Sequence, residues 1–399
     1  MSISLAPAKS TEKSAPDYLS FSRAHGSIDA LDGLRTIAIV LVLFRHAMRG
    51  FESVHGDVLA LSTPLGNWSL ATPMLNGWMG VDLFFVLSGF LIGGHLIRRR
   101  HSFSRTTLTS YFGARALRIV PTYIAVLGLV ALGAFPFFTI ESQNIGLSLV
   151  WHVLFLQDYL PSDLIVAFWS LGVEEKFYII APLLVLGCGK LTSINARILL
   201  LLVLIFLPLI LRAITLGGLD TELDYKAYFE TFRSPFHLTF DGLMIGVLCA
   251  EIYHHEGLKT QFSRHSNALL AFGASMIALH LLPVNLMANI TLYDILLQPL
   301  LISTGFGAIL LATALRNSRT GILASKFSLI GARLSYAMYL VHMALIPLAL
   351  GLAMVSGLSG APLFMLFFAL FLTLSTGVSM LLHFAVEKPF LQLKSRWFN

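Results

Sequence analysis

Ten apolar runs, each about 20 residues long, restrict the fold that this chain can adopt. A helix rises about 1.5 Å per residue, so such a run crosses the roughly 30 Å hydrocarbon core of a bilayer. Because lipid offers no hydrogen bonds, a spanning segment must satisfy its own backbone groups. The sequence therefore predicts an all-α, polytopic membrane protein, a bundle of about ten transmembrane helices. The runs lie near 31–50, 77–97, 117–138, 165–187, 197–216, 236–254, 268–286, 292–315, 328–350 and 362–385.

Charge content separates this chain from soluble classes. Only 12% of the 399 residues are charged, against about 25% in a typical soluble domain. The net charge of +6 would suggest nucleic acid for a soluble protein. Here the basic residues lie between apolar runs, where membrane topology accounts for them. The lipid bilayer is therefore the expected partner, and nucleic acid is not.

Lysine and arginine are concentrated in the segments that share one side of the membrane with both termini. The positive-inside rule then predicts N-in and C-in orientation with an even number of spans. Residues 1–27 lack the apolar region of a signal peptide and are predicted as a disordered cytoplasmic tail. Residues 391–399 are predicted as a second cytoplasmic tail. The apolar piece 145–156 is too short to span easily and predicts a re-entrant or interfacial segment.

The first run, 31–50, carries several ionisable residues that are costly inside a bilayer and therefore indicate a function. Arg35 and His46 are eleven residues apart, about three helical turns, and share one helix face. If the start of the run lies at a membrane boundary, His46 lies at or beyond the midplane. The alternative is that the charges only mark the far end of a short helix. The ionisable residues are Asp32, Arg35, Arg45, His46 and Arg49.

Two later runs also carry polar stripes at helical spacing. Ser170, Glu174 and Tyr178 follow one another at four-residue intervals, which places them on one helix face. Tyr339 and His342 likewise share a face in the ninth run. Polar stripes inside a bundle predict a substrate cavity. The alternative is an interhelical hydrogen-bond network, in which a buried histidine is structural.

Polar groups also lie near the start of the second run and near the start of the third. Asp82 is near its outer boundary, where simple solvation is the alternative to a role in a site. Arg115 and Arg118, at i and i+3, are predicted at the cytoplasmic start of the third helix, with Pro121 in its first turn. Paired guanidinium groups suit phosphates, although the positive-inside bias alone would also place arginines there.

Six motifs occur in one order along residues 28–390. They resemble the acyltransferase family 3 of integral membrane O-acyltransferases, which acylate glycans such as lipopolysaccharide, exopolysaccharide and peptidoglycan. The resemblance implies a multi-pass protein of the bacterial inner membrane that uses cytoplasmic acyl-CoA, with acetyl-CoA as the expected co-substrate and no permanently bound cofactor. The motifs are DGLRTIAIVLVLFRH, GVDLFFVLSGFLI, RALRIVP, WSLGVEEKFY, LSYAMYLVH and VEKPF.

At the matching motif positions, the resemblance marks His46 as the catalytic histidine and Arg115 and Arg118 as ligands of the CoA phosphates. Arg35 is grouped with the donor site. Further positions of expected importance are Asp32, Trp169, Ser170 and Glu174. This chain departs from the family pattern at Arg45, where an apolar or aromatic residue is expected. Because an arginine can contact an anion, an anionic acyl group such as succinyl remains an alternative to acetyl. The sequence also departs from relatives that carry a C-terminal SGNH hydrolase-like domain. We therefore expect this chain to carry out transfer either alone or with a separate partner protein.

O-acyl transfer needs a base for the acceptor hydroxyl, and histidine, with a pKa near 6.5, serves at neutral pH. Glu174 would orient His46 or hold the acceptor. An extended pantetheine arm of about 15–20 Å, similar to the rise of ten to thirteen helical residues, would reach His46 from the arginines. His46 could act as general base or carry the acyl group briefly, and the residues leave both open.

Two other function classes remain as alternatives. A transporter or flippase of a glycan or lipid-linked intermediate would share the polar cavity, although many such proteins show internal repeats that are not found here. A membrane scaffold or sensor would leave the ordered motifs unexplained. No metal site is expected, since the 13 histidines form no HExxH motif and the two cysteines have no ligand spacing. The sequence does not indicate an oligomeric state.

Overall fold

The computed structural model describes residues 21, 23, 28–63, 66–219, 223–282, 290–316 and 321–397. Most of the predicted N-terminal tail lies outside these residues. The described chain is helical apart from one antiparallel hairpin, in which strand β1 (Ala60–Thr63) pairs with β2 (Gly66–Ser69). The all-α class is therefore confirmed for the described residues apart from this hairpin.

The helices are named here in chain order. They are α1 (Ala30–His55), α2 (Ala71–Leu75), α3 (Gly80–Arg98), α4 (Arg105–Ala131), α5 (Ile145–Val153), α6 (Trp169–Lys190), α7 (Ile194–Gly217), α8 (Tyr225–Tyr228), α9 (Phe236–Thr239), α10 (Asp241–His254), α11 (Glu256–Arg264), α12 (Ser266–Leu281), α13 (Leu292–Leu296), α14 (Gln298–Arg316), α15 (Lys326–Met354), α16 (Gly360–Leu382) and α17 (Lys388–Trp397).

Every predicted run overlaps a helix, and within the described residues six helical stretches are long and apolar enough to cross a membrane. A multi-pass membrane protein is therefore confirmed, whereas ten crossings and the N-in, C-in orientation stay predictions. Helices α1 and α6 are not among the six, because every 18-residue stretch of either helix holds at least three charged residues. The six are Ala71–Arg98, Arg105–Ala131, Ile194–Gly217, Gln298–Arg316, Lys326–Met354 and Gly360–Lys394.

Helix α4 corrects the predicted third span. It begins at Arg105 instead of 117, because the Ser104 side chain accepts a hydrogen bond from the Thr107 backbone N–H and caps it. Pro121 consequently lies inside the helix and not in its first turn. Arg115 and Arg118 are carried on the middle of α4, beside α6 and α15.

The short apolar piece 145–156 forms α5, a nine-residue helix capped by Asn144. Nine residues rise only about 14 Å, so this helix alone is too short to cross a bilayer. Phe155 follows with a positive φ of 55°, which ends the regular structure. Its short length is confirmed, and its re-entrant or interfacial placement stays a prediction.

Helices α3 and α10 approach so closely that only glycine fits between them. A Cβ atom on Gly89 would collide with the Leu243 carbonyl, and one on Gly246 with the Val86 carbonyl. Small residues permit this backbone contact in membrane bundles. Helix α1 in turn packs against α3 and α15, so the helix that carries His46 lies inside the bundle.

Candidate active site

A cavity of about 330 Å³ lies between α1, α3, α4, α6 and α15. It follows α3 from Arg98 to Val81, a helical rise of about 25 Å. More than half of the predicted site residues line it, so helices distant in sequence bring them together. Its polar lining comes from Arg35, Ser88, His95, Arg98, Arg115, Arg118, Ser170, Glu174, Glu175, Tyr178, Ser335, Tyr336 and Tyr339.

The basic end of the cavity, defined by Arg35, Arg98, Arg115 and Arg118, carries more charge than Glu174 and Glu175, the two carboxylates that line the same cavity, can balance. Within the described chain, no carboxylate forms an ion pair with any of these four guanidinium groups. Arg115 instead lies over an aromatic ring, 5.6 Å from the centroid of Tyr178. The predicted arginine pair therefore faces a cavity and does not simply balance charge within the protein.

Several arginines elsewhere in the bundle form ion pairs with carboxylates. Arg212 lies 3.0 Å from Asp241, and Arg100 lies 2.7 Å from Glu251, which also pairs with Arg197 at 3.3 Å. An uncompensated charge away from water is costly, so the fold normally supplies a partner. The four guanidinium groups of the basic end differ, because none of them forms an ion pair among the described residues.

Glu174 lies in the middle of the cavity, where its two oxygens are both engaged. The Ser88 hydroxyl donates to Oε1 and the Tyr178 hydroxyl donates to Oε2, each at 2.8 Å. Glu174 thus has no hydrogen bond with His46, and the expectation that it orients this histidine is corrected. Its carboxylate still faces the cavity, which leaves a substrate contact as a prediction.

The deep end of the cavity, defined by Ser170 and Tyr339, is closed by a chain of hydroxyl groups. The Tyr339 hydroxyl donates to the Ala167 carbonyl at 2.6 Å, and its oxygen lies 2.5 Å from the Ser170 hydroxyl. Since the Tyr339 hydroxyl donates its only proton to the Ala167 carbonyl, the Ser170 hydroxyl is the donor in the second bond. Both predicted polar stripes therefore meet here.

His46 lies beyond the deep end and does not itself line the cavity. The His342 ring contacts both neighbours, with centroids 5.7 Å from Tyr339 and 4.9 Å from His46. Nδ1 of His46 is 3.0 Å from Nε2 of His342 and 3.2 Å from the Val42 carbonyl oxygen. Among these residues only Tyr339 lines the cavity, and a donor path that continues from there to His46 stays a prediction.

His46 is half-buried, and its Nε2 forms no hydrogen bond with any residue that the structure describes. By contrast, His342 is fully buried. The imidazole that the motif resemblance marks as catalytic is thus held on one side and available on the other. Because the two histidines are 296 residues apart, no sequence spacing could reveal the contact.

Arg45, next to His46, is buried and bonded to the protein. Its Nη1 donates to the Leu75 carbonyl at 2.8 Å, and Nη2 donates to the Tyr225 hydroxyl at 3.2 Å. Its guanidinium carbon also lies 5.8 Å from the centroid of the Tyr225 ring. Arg45 thus connects α1 to the chain segment around α8, and it lies on the side of His46 away from the basic end.

Asp82 is buried and not solvated, which corrects the simpler of its two interpretations. Both of its carboxylate oxygens accept from Arg233, each at 2.8 Å. The Arg233 guanidinium also contacts the rings of Trp78 and Trp169, at 5.1 and 5.3 Å from their centroids. Arg233 was missed in the sequence because no motif or spacing relates it to Asp82, 151 residues away.

Asp32 lies outside the cavity and fastens the start of α1. It accepts from Nε of Arg23 at 2.8 Å, and Nη2 of Arg23 donates to the Ala324 carbonyl at 2.7 Å. The segment before α1 is thereby tied to the segment before α15. Asp32 thus has a structural role next to the Arg35 end of the cavity.

A family model described as an acyltransferase domain, Acyl_transf_3, matches residues 28–384. An uncharacterized protein of Haemophilus influenzae is 29% identical over 49% of this chain and 84% of its own length. The O-acetyltransferase OatA of Staphylococcus aureus is 24% identical over 40% of this chain. The peptidoglycan O-acetyltransferase OatA of Listeria monocytogenes is 26% identical over 61%. These matches span only 24% and 37% of the two OatA proteins. No solved structure matches.

Proposed function

The chain belongs to acyltransferase family 3, and we propose that it transfers an acyl group, acetyl in the first place, from cytoplasmic acyl-CoA to a glycan hydroxyl. The acceptor would be a cell-surface or periplasmic glycan or glycolipid at the bacterial inner membrane. Support comes from the O-acetyltransferase names of two relatives. The observation that carries the proposal is the cavity, which has four arginines without ion pairs among the described residues at one end and the His46 imidazole just beyond the other.

The basic end suits the phosphates of CoA. Several guanidinium groups without carboxylate partners would bind a polyanion through charge-assisted hydrogen bonds, which are the strong ones. A volume of about 330 Å³ holds a narrow chain and not a whole nucleotide cofactor. The pantetheine arm would therefore follow α3 inward, and the nucleotide would stay at the mouth beside Arg98.

Reaction at His46 would take place at Nε2. As a general base, Nε2 takes the proton of the acceptor hydroxyl while the oxygen attacks the thioester carbon. A C–O bond forms, the C–S bond breaks, and the CoA thiolate receives the proton from the imidazolium. If His46 instead carries the acyl group, Nε2 attacks the thioester carbon first, and the C–S bond breaks to release the CoA thiolate. The acceptor oxygen then displaces the imidazole, and the hydroxyl proton passes to the thiolate. In both routes the thioester must pass the Tyr339 side chain, so this side chain moves during turnover, while His342 keeps its contact with His46.

The acceptor would approach from the side of Arg45. This guanidinium already donates to Leu75 and Tyr225, which leaves only its other N–H groups for a succinyl carboxylate. The O-acetyltransferase names of two relatives are the reason to place acetyl first. With N-in and C-in topology, donor and acceptor would meet from opposite faces of the membrane, and the acyl group would cross by being transferred.

Purified protein in lipid nanodiscs tests the proposal directly. It is mixed with acetyl-CoA and fragments of surface glycan, and both released thiol and glycan mass are measured. We expect thiol release together with the mass of one acetyl group on the glycan, and loss of both in His46→Ala. His265→Ala, on an exposed loop histidine, is the matched control. Unchanged transfer by His46→Ala would reject this histidine, and glycan transport without thiol release would favour a transporter.

A further inference from the structure

We propose that His342 is a positioning residue that sets the tautomer of His46 and stabilises its charged form, an inference that rests on the proposed role of His46. The carrying observation is the direct ring contact, with Nε2 of His342 3.0 Å from Nδ1 of His46. Glu174, the carboxylate first expected in this role, is bonded elsewhere. The pair of imidazoles therefore takes the place of the carboxylate and imidazole found in many acyl-transfer enzymes.

The protons of the pair follow from the partners of His342. Its Nδ1 lies 2.8 Å from the Tyr339 carbonyl oxygen and 3.2 Å from that of Met338. Carbonyl oxygens only accept, so this nitrogen carries the N–H group. In the neutral ring Nε2 is then unprotonated and accepts. Nδ1 of His46 must consequently donate, and it shares its proton with the Val42 carbonyl at 3.2 Å.

The opposite arrangement is unfavourable. If His342 were protonated on both nitrogens, Nδ1 of His46 would have to accept from it. The contact between that nitrogen and the Val42 carbonyl would then join two acceptors. His342 is also fully buried, whereas His46 is half-buried, so an added charge is better solvated on His46. The proton taken from a substrate is therefore held at Nε2 of His46, and not on His342, until the CoA thiolate receives it.

His342 would contribute equally to both chemical routes. A free lone pair at Nε2 of His46 is needed to take a hydroxyl proton and also to attack a thioester. When either event makes the His46 ring positive, its Nδ1–H bond to His342 becomes charge-assisted and strengthens. No bond to His342 is made or broken. Its effect is therefore on the rate of the chemical step and not on binding of the donor.

The position of His342 also connects this histidine pair to the donor cavity. Its Nδ1 proton is held by the backbone carbonyl of Tyr339, whose side chain forms the deep end with Ser170. One turn of α15 therefore both ends the cavity and orients the ring that contacts His46. A thioester that displaces Tyr339 would reach the histidine pair at once.

The test compares two substitutions, His342→Leu and His342→Gln, in full-length protein in nanodiscs. Leucine removes Nε2, the atom that accepts the hydrogen bond from His46. We therefore expect kcat to fall by about 10²- to 10⁴-fold, as when other histidine-orienting groups are lost. The KM for acetyl-CoA should change little. Glutamine offers an oxygen near the former Nε2, so it should recover at least about tenfold of the loss. His152→Leu is the matched control, because His152 is also fully buried and bonded to a backbone carbonyl but belongs to α5.

Near-normal kcat in His342→Leu would overturn the inference, and so would equal inactivity of both variants with normal acetyl-CoA binding. Failure of the proposed function gives a different result, because transfer would then be retained in His46→Ala. If only the inference about His342 fails, His46→Ala is inactive and His342→Leu is active. Nitrogen NMR of histidine-labelled wild-type protein provides a test that does not depend on folding of variants. We expect His46 to be protonated at Nδ1 and not at Nε2. The reverse tautomer would contradict the proposal.

Discussion

Replacing Arg118 with methionine should weaken binding of acyl-CoA without destabilising the free protein. Arg118 faces the cavity with Arg35 and Arg115 and has no ion pair among the described residues. A hydrogen bond to a charged group contributes about 1.5–3 kcal/mol, which corresponds to roughly 10- to 150-fold in Kd. Since the neighbouring charges repel one another, loss of one should leave the unfolding temperature of the ligand-free protein equal or higher.

The matched control is Arg100→Met, because Arg100 is bonded to buried Glu251 at 2.7 Å and lies outside the cavity. Removing one partner of a buried pair is destabilising, by as much as about 3–5 kcal/mol when no other cation remains. Arg197 remains near Glu251, so a smaller loss is expected. Thermal unfolding and isothermal titration with acetyl-CoA, each in nanodiscs, measure the two effects. Arg118→Met that binds acetyl-CoA like the wild type would refute the reasoning about the basic end.

Three further predictions concern the rest of the bundle. Asp82→Asn leaves the buried Arg233 without its counter-charge and should lower the free energy of unfolding by about 3–5 kcal/mol, with partial recovery when Arg233→Met is added, as thermal unfolding would show. Gly246→Leu should separate α3 from α10 and reduce the yield of folded protein on size exclusion, whereas Gly187→Leu, which meets open space, should not. Glu174→Gln keeps the size of the side chain and should lower kcat without changing the unfolding temperature, and unchanged kcat would remove Glu174 from the site.

Local sequence rules predicted the elements well, because hydrophobic runs and helical spacing depend on neighbours in the chain. Glu174 and Tyr178, for example, share a helix face and do line one cavity. Arg115 and Arg118 do likewise. The start of α4 was misplaced because its first turns are polar, and a Ser104 cap extends the helix beyond the apolar run.

Contacts between distant helices were beyond such rules. Asp82 pairs with Arg233 and His46 with His342 only because α3, α1 and α15 pack in one particular register. Helical spacing placed His342 on the same face as Tyr339, but it did not show that this face meets α1. Glu174 was predicted to orient His46 because a carboxylate often orients a histidine base, but its two oxygens accept hydrogen bonds from Ser88 and Tyr178 instead.

Transfer across a sealed membrane tests the central claim most directly. Vesicles that contain the purified protein enclose a glycan acceptor, and acetyl-CoA with a labelled acetyl group is added outside. We predict labelled glycan inside intact vesicles, and none when His46 is replaced by alanine in otherwise folded protein. Label on the enclosed glycan at the same rate with and without the His46 imidazole, or only after the vesicles are broken, would contradict the account.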